Sequence, residues 1–143
     1  YIILEDDERK ALIERFQKAG FDIVYEFGRK APSGPMKLDE LGAVIHSVAE
    51  CGIDHVIVEQ SEIDMLGNTS ATGLQDLREQ NWFDRIVIEA DPYRFPTQHA
   101  ELVNTFGRDV NLCNIAPGQV LRLEGFRQGI GRAVGYNIMD GLI

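Results

Sequence analysis

Four glutamates occupy equivalent places along the chain. Glu5 closes the run YIILE, Glu26 follows FDIVY, Glu59 follows HVIV, and Glu89 follows RIVI. Each stands directly after a short run rich in β-branched or aromatic residues, the composition of a strand. In α/β folds the loops beyond the carboxyl ends of the strands build the site. Glutamates at several such ends therefore converge on one rim. Carboxylates brought close together repel, so some keep a proton, pair with a cation or bind a metal. Mg²⁺ suits such a rim because it takes one or two carboxylates plus waters and substrate oxygens. A plainer reading, a strand meeting water, accounts for any single one of the four. The element-by-element recurrence favours at least two of them lining a site, without saying which two.

Basic and amide residues fall on the same rim. EFGRK places Arg29 and Lys30 just after Glu26 and Gly28. A lysine beside carboxylates stays protonated and can hold a phosphate or enolate oxygen, or transfer a proton. In VNLCNI, Asn111 and Asn114 have opposite parity, so a strand there turns only one of them inward. Arg122, Arg127 and Arg132 follow that run and could bind an anion or form a solvated face. His46, His55 and His99 share no metal-ligand spacing and read as structural. Ser61 has no histidine partner at motif spacing and is a poor nucleophile candidate.

The elements that would position these groups alternate along the chain. Strands are expected at 1–5, 21–26, 54–60, 84–90 and 109–115. Helices are expected at 7–19, 38–50, 72–81, 96–106 and 117–128, with Leu12, Ile13, Phe16 and Ala19 forming the apolar stripe of the first. Gly20, Gly52 and Gly107 stand where helices stop. Residues 27–37 form a glycine- and proline-rich loop, residues 61–71 read as a loop of uncertain path, and the tail after Gly129 has no clear period. Such alternation means βα units and a parallel sheet, either an open doubly wound sheet or part of a (β/α)8 barrel. No G-x-G-x-x-G or G-x-x-x-x-G-K-[ST] block is present, so nucleotide-fold signatures are missing.

With 143 residues the chain has room for one domain, which we read as a single unit over residues 1–143. A barrel takes about 200 residues or more, so five βα units look like the later part of one. The net charge of -9 argues against nucleic-acid and anionic-membrane binding, while leaving room for a local basic cluster and an anionic small substrate. No apolar run approaches the roughly 20 residues of a membrane span. Cys51 and Cys113 read as buried thiols of a reducing compartment, which makes the cytoplasm the expected location.

The blocks EFGRK, VIVEQSE, IVIEAD, FGRDVNLCNI and VLRLEGFRQG occur in that order. Together they resemble the phosphosulfolactate synthase family of (β/α)8 barrels, over residues 12–131 and across that family's fourth to eighth βα units. The resemblance implies a lyase-type reaction: Mg²⁺-assisted addition of sulfite to phosphoenolpyruvate, forming a carbon–sulfur bond on the way to coenzyme M or a related sulfonate. It implies that Lys30 stabilises the developing enolate. Glu26, Glu59 and Glu89 match the family's strand-end glutamates, which makes Glu26 and Glu59 catalytic candidates and Glu59 and Glu89 metal ligands. Arg29, Asn111, Asn114 and Arg127 are the substrate-binding candidates. The family also includes plant heat-stress-associated relatives. A diverged member that binds another phosphorylated small molecule, or acts in stress, is therefore the alternative. Closing the barrel implies a larger parent chain or an assembly, including a homo-oligomer.

Overall fold

The structure is a computed structural model and describes residues 4–131. Its helices are α1 (Asp6–Lys18), α2 (Leu38–Glu50), α3 (Gln60–Thr69), α4 (Gly73–Arg78), α5 (Thr97–Phe106) and α6 (Val120–Arg127). Its strands are β1 (Tyr25–Phe27), β2 (Val56–Val58), β3 (Ile86–Glu89) and β4 (Leu112–Cys113). They form one sheet in the order β1-β2-β3-β4. Every neighbouring pair is parallel. Successive parallel strands joined through helices are the arc of a (β/α) barrel.

The strands are short because few residues carry the pattern, but the pattern is strict. Val56, Val58, Ile86 and Ile88 are fully buried. The alternate residues Ile57, Val87 and Glu89 are only half-buried. One face of the sheet thus enters the core with Leu41, Ile45 and Val48 of α2 and Val103 and Phe106 of α5. Each such aliphatic side chain contributes about 1.5–3 kcal/mol by leaving water. The other face carries the glutamates. The strands that looked fully apolar are therefore buried on one side only among the described residues.

Helix α2 forms where expected. Leu41, Ile45 and Val48 recur at helical spacing, Asp39 and Glu40 suit the positive N-terminal end, and Cys51 closes it before Gly52. Two elements differ from expectation. Residues 61–69, read as a loop, are helical, as is Gln60, read as a strand end, because Ile63 and Leu66 fall on one face and bury it. The helix expected at 72–81 shortens to Gly73–Arg78, and a single 3₁₀ turn, Phe83–Arg85, leads into β3.

The first expected strand, 1–5, falls mostly outside the described residues. Glu5 lies at the N-cap of α1, where its N–H donates to Glu8 Oε2 at 3.3 Å. It closes no strand of the described sheet. On α1 only Ile13 is buried. Leu12 and Phe16 are exposed, and Phe16 meets Phe21 edge-on with ring centres 6.0 Å apart. The stripe read from the sequence is present, but α1 lies against the edge of the sheet and docks on α2 partly through polar contacts such as Lys10–Glu50 at 2.7 Å.

Candidate active site

The pairing of Val58 with Ile88 sets Glu59 and Glu89 one residue beyond a matched pair, side by side at the carboxyl edge of the sheet. Glu26 pairs with Ile57, so it belongs to the same face one row lower. That row lies about 7 Å down the strand at 3.3 Å per residue. Glu59 nevertheless acts on both Glu26 and Glu89, raising the two carboxyls from the strand between theirs.

The electrostatics agree. Partial burial raises the Glu26 carboxyl above its ordinary range, and the hydrogen bond and charge of Glu59, then the charge of Glu89, raise it further. Burial also raises Glu89, followed by the charge of Glu59, while the Gln60 backbone N–H pulls it back. Lys30 acts on both in the lowering direction. The Cys113 thiol, on the same rim, is pushed up to about 11 by burial and by Glu89 and Glu26. It stays protonated near neutral pH and is no nucleophile.

Helix α3 starts at once from β2, and that junction organises the rim. Glu59 occupies the N-cap position, and its side chain does not cap the helix. The first N–H of the helix, that of Gln60, donates to Glu89. Glu89 also receives Asn114 Nδ2 at 3.4 Å. A cavity of about 570 Å³ opens over these groups, lined by Lys30, Glu59, Glu89, Asn114 and the exposed Tyr93. Tyr93 sits on the turn Pro92–Arg94, fixed by its own N–H to Asp91 Oδ1 at 2.9 Å.

Of the residues expected from the sequence, Lys30, Glu26, Glu59, Glu89 and Asn114 come together. Asn114 reaches the rim because β4 ends at Cys113 and Asn114 itself adopts φ 59°, so strand parity no longer applies to it. Three expected substrate-binding residues are placed otherwise. Arg29 lines a cavity of about 1030 Å³ beside α1 and α2, together with Glu26, Arg9 and Met36. Asn111 donates to the carbonyls of Asp84 at 3.0 Å and Ile86 at 3.2 Å, near the start of β3 and away from the rim. Arg127 is spent on the carbonyls of Arg108 and of Val110, the latter at 2.7 Å, leading into β4. Arg132 lies outside the described residues.

Two residues of the site were not anticipated. Glu62 is buried, and its Oε1 accepts the Arg29 N–H at 2.9 Å. The Ser61 hydroxyl donates to the Arg29 carbonyl. Their signal was the residue pair following Glu59, which the loop reading of residues 61–71 obscured.

Among the described residues no three His, Cys, Asp or Glu side chains form a ready metal-ligand set. Mg²⁺ ordinarily needs only one or two carboxylates from the protein. Glu59 and Glu89 are adjacent, are held by hydrogen bonds, and repel one another unless a proton or cation intervenes. That donor chemistry fits a hard divalent ion.

A sequence model of the family described as (2R)-phospho-3-sulfolactate synthase (ComA) matches residues 1–132. The phosphosulfolactate synthase of Methanocaldococcus jannaschii is 31% identical over 133 residues, covering 87% of this chain and 52% of that protein. The phosphosulfolactate synthase of Methanothermobacter thermautotrophicus is 29% identical over 136 residues, covering 89% and 52%. The chain spans about half the length of these curated relatives.

Proposed function

This chain belongs to the (2R)-phospho-3-sulfolactate synthase family, and from that premise we propose that its carboxylate rim and Lys30 serve the addition of sulfite to phosphoenolpyruvate. The observation that carries the reading is the convergence of Glu26, Glu59 and Glu89 on one face at the strand ends, with Lys30 acting on two of them. In this reaction the sulfur lone pair bonds to C3 of the enolpyruvate. The C2–C3 π electrons move toward the carboxylate as an enolate, and a proton then adds at C2. Lys30 is the chain's own cation for the enolate oxygen, where a fixed charge acts without reorganisation. The Glu26 carboxyl, held above its ordinary range by burial and by Glu59, is placed to hold the proton that C2 needs. Glu59 and Glu89 would hold Mg²⁺, which supplies Lewis-acid stabilisation of the substrate carboxylate when bound. Asn114 would orient a substrate oxygen while keeping Glu89 in place.

A closed barrel takes eight strands, so the proposed centre includes strands beyond the four described. Self-association through the sheet edges is part of the same proposal. Phe21 and Val24 are exposed before β1, and Val120 and Leu121 are exposed after β4. Sedimentation measures it. No helix among the described residues is long and apolar enough to cross a membrane. A cytoplasmic location, with neither nucleic acid nor membrane as partner, is consistent with the net charge of -9 and belongs to the proposal.

One observation favours a second reading. Of the basic candidates, Arg127 is held by the carbonyls of Arg108 and Val110, Arg29 lines the neighbouring cavity, and Lys30 lines the cavity with Glu59 and Glu89. A diverged relative that takes a different phosphorylated small molecule, or acts in stress, needs no more than that. The separating experiment is a thermal-shift series with Mg²⁺, phosphoenolpyruvate and sulfite against other phosphorylated metabolites, beside a direct assay of product. A shift and product with the named substrates support the synthase reading. A shift with another phosphorylated compound alone, and no product, overturns it.

A further inference from the structure

The segment that carries Lys30 is gripped by the first turn of α3. The Arg29 N–H donates to Glu62 Oε1 at 2.9 Å, and the Arg29 carbonyl accepts from the Ser61 hydroxyl. Both polar ends of one residue are thereby tied to two consecutive helix residues. Gly28 closes the contact from the other side. A Cβ there would come within 2.5 Å of Glu62 Cγ and 2.9 Å of Glu59 Cβ, and its φ of 117° suits glycine. Glu62 is only 5% exposed, an uncommon place for a carboxyl, and it accepts the Arg29 N–H there. Its position in the first turn of α3 lets the helix N-terminus offset the cost of burying it.

We propose that Glu62 and Ser61 are positioning residues for Lys30. They fasten the Gly28–Lys30 segment to the same helix turn that begins at Glu59. The lysine and the central carboxyl of the trio then share one rigid mount, and their separation holds while substrate enters and leaves. The inference rests on the reading of Lys30 as catalytic, and it assigns work to two residues that touch no substrate. A loop fastened only by its own turns would let the ammonium wander. A misplacement of about 1 Å at a reacting centre can cost on the order of a hundredfold in rate.

The test uses Glu62→Ala, Glu62→Gln and Ser61→Ala, each read in two ways. Hydrogen exchange at the Arg29 amide reports the clamp itself, and the ¹³C resonance of reductively methylated Lys30 reports the side chain. Glu62→Ala is expected to speed Arg29 exchange about tenfold or more and to broaden or shift the Lys30 signal. Glu62→Gln keeps an acceptor oxygen and restores both. In turnover with sulfite and phosphoenolpyruvate, Glu62→Ala lowers kcat by about tenfold to a hundredfold with a smaller change in KM, and Glu62→Gln recovers most of it. Should Glu62→Ala fail to fold, Ser61→Ala and Glu62→Gln carry the comparison, with Ser61→Ala giving the smaller loss. Unchanged Arg29 exchange and an unchanged Lys30 signal in Glu62→Ala or Ser61→Ala overturn the proposal. If the wild type makes no product, the proposed reaction fails, whereas the exchange and resonance measurements still decide the clamp.

Discussion

Glu59 and Glu89 stand side by side on two parallel strands, because Val58 and Ile88 are paired and each glutamate is the next residue along. Two acidic groups in such contact are stable only with a proton or cation between them.

That contact makes stability depend on pH in a definite direction. The Glu26 and Glu89 carboxyls are held above their ordinary range, so between that range and the raised values the folded chain keeps protons that the unfolded chain has released. Stability therefore falls as pH rises through this window. Glu59→Gln removes the charge that raises both neighbours. In metal-free buffer with a chelator, its melting temperature relative to wild type is expected to be higher at pH 8 than at pH 5. An equal difference at both values contradicts the assignment.

His99 gives the opposite slope. It is fully buried on α5, packs edge-on against Phe95 at 4.9 Å, and neither ring nitrogen has a hydrogen-bond partner among the described residues. Burial lowers its pKa, with the Asp91 charge partly opposing. The unfolded chain then gains a proton below the ordinary histidine range that the folded chain resists. The stability His99 contributes is complete above that range and is lost as pH falls. His99→Leu is expected to flatten the decline in melting temperature between pH 7 and pH 5, as read by circular dichroism.

Gly28 tests the tightness of the β1–α3 junction. An added methyl meets both Glu62 Cγ and Glu59 Cβ at distances that real side chains do not adopt, on a backbone with φ 117°. Gly28→Ala is expected to lower the unfolding free energy by at least about 1–3 kcal/mol in urea titrations. A loss below ~0.5 kcal/mol means the junction is looser than described.

Arg127 separates a structural role from a binding one. Its guanidinium holds the carbonyls of Arg108 and Val110 ahead of β4. Arg127→Ala leaves those partly buried acceptors without it and is expected to cost about 1–3 kcal/mol of stability. Affinity for a phosphorylated ligand should stay within about threefold of wild type, measured by titration calorimetry below the melting range. A large loss of affinity at intact stability returns Arg127 to the binding site.

The strand-end glutamates were legible in the sequence because β-branched runs fix strand ends and parity fixes faces. The pattern grouped Glu5, Glu26, Glu59 and Glu89 without ranking them, and the family resemblance singled out Glu26, Glu59 and Glu89. Glu5 shares their local pattern and stands at the N-cap of α1, as Glu59 does at α3, but it follows no strand of the described sheet. Asn111 and Asn114 could not be ranked by parity, since β4 stops at Cys113 and the left-handed turn at Asn114 re-aims it. The α3 helix was hidden by Gly67, Asn68 and Thr69, which weaken helical propensity at its end, while the burial of Ile63 and Leu66 decides its fate. With that helix unread, the grip of Ser61 and Glu62 on Arg29 could not be seen. Arg29 and Lys30 are adjacent in sequence, yet only the fold separates their cavities.

The most direct measurement is product formation from sulfite and phosphoenolpyruvate with Mg²⁺, comparing the protein with its Lys30→Ala variant. The account predicts phosphosulfolactate from the wild type and a loss of about a hundredfold or more in kcat for Lys30→Ala, with the fold intact. No product from the wild type, or undiminished turnover without the lysine, contradicts it.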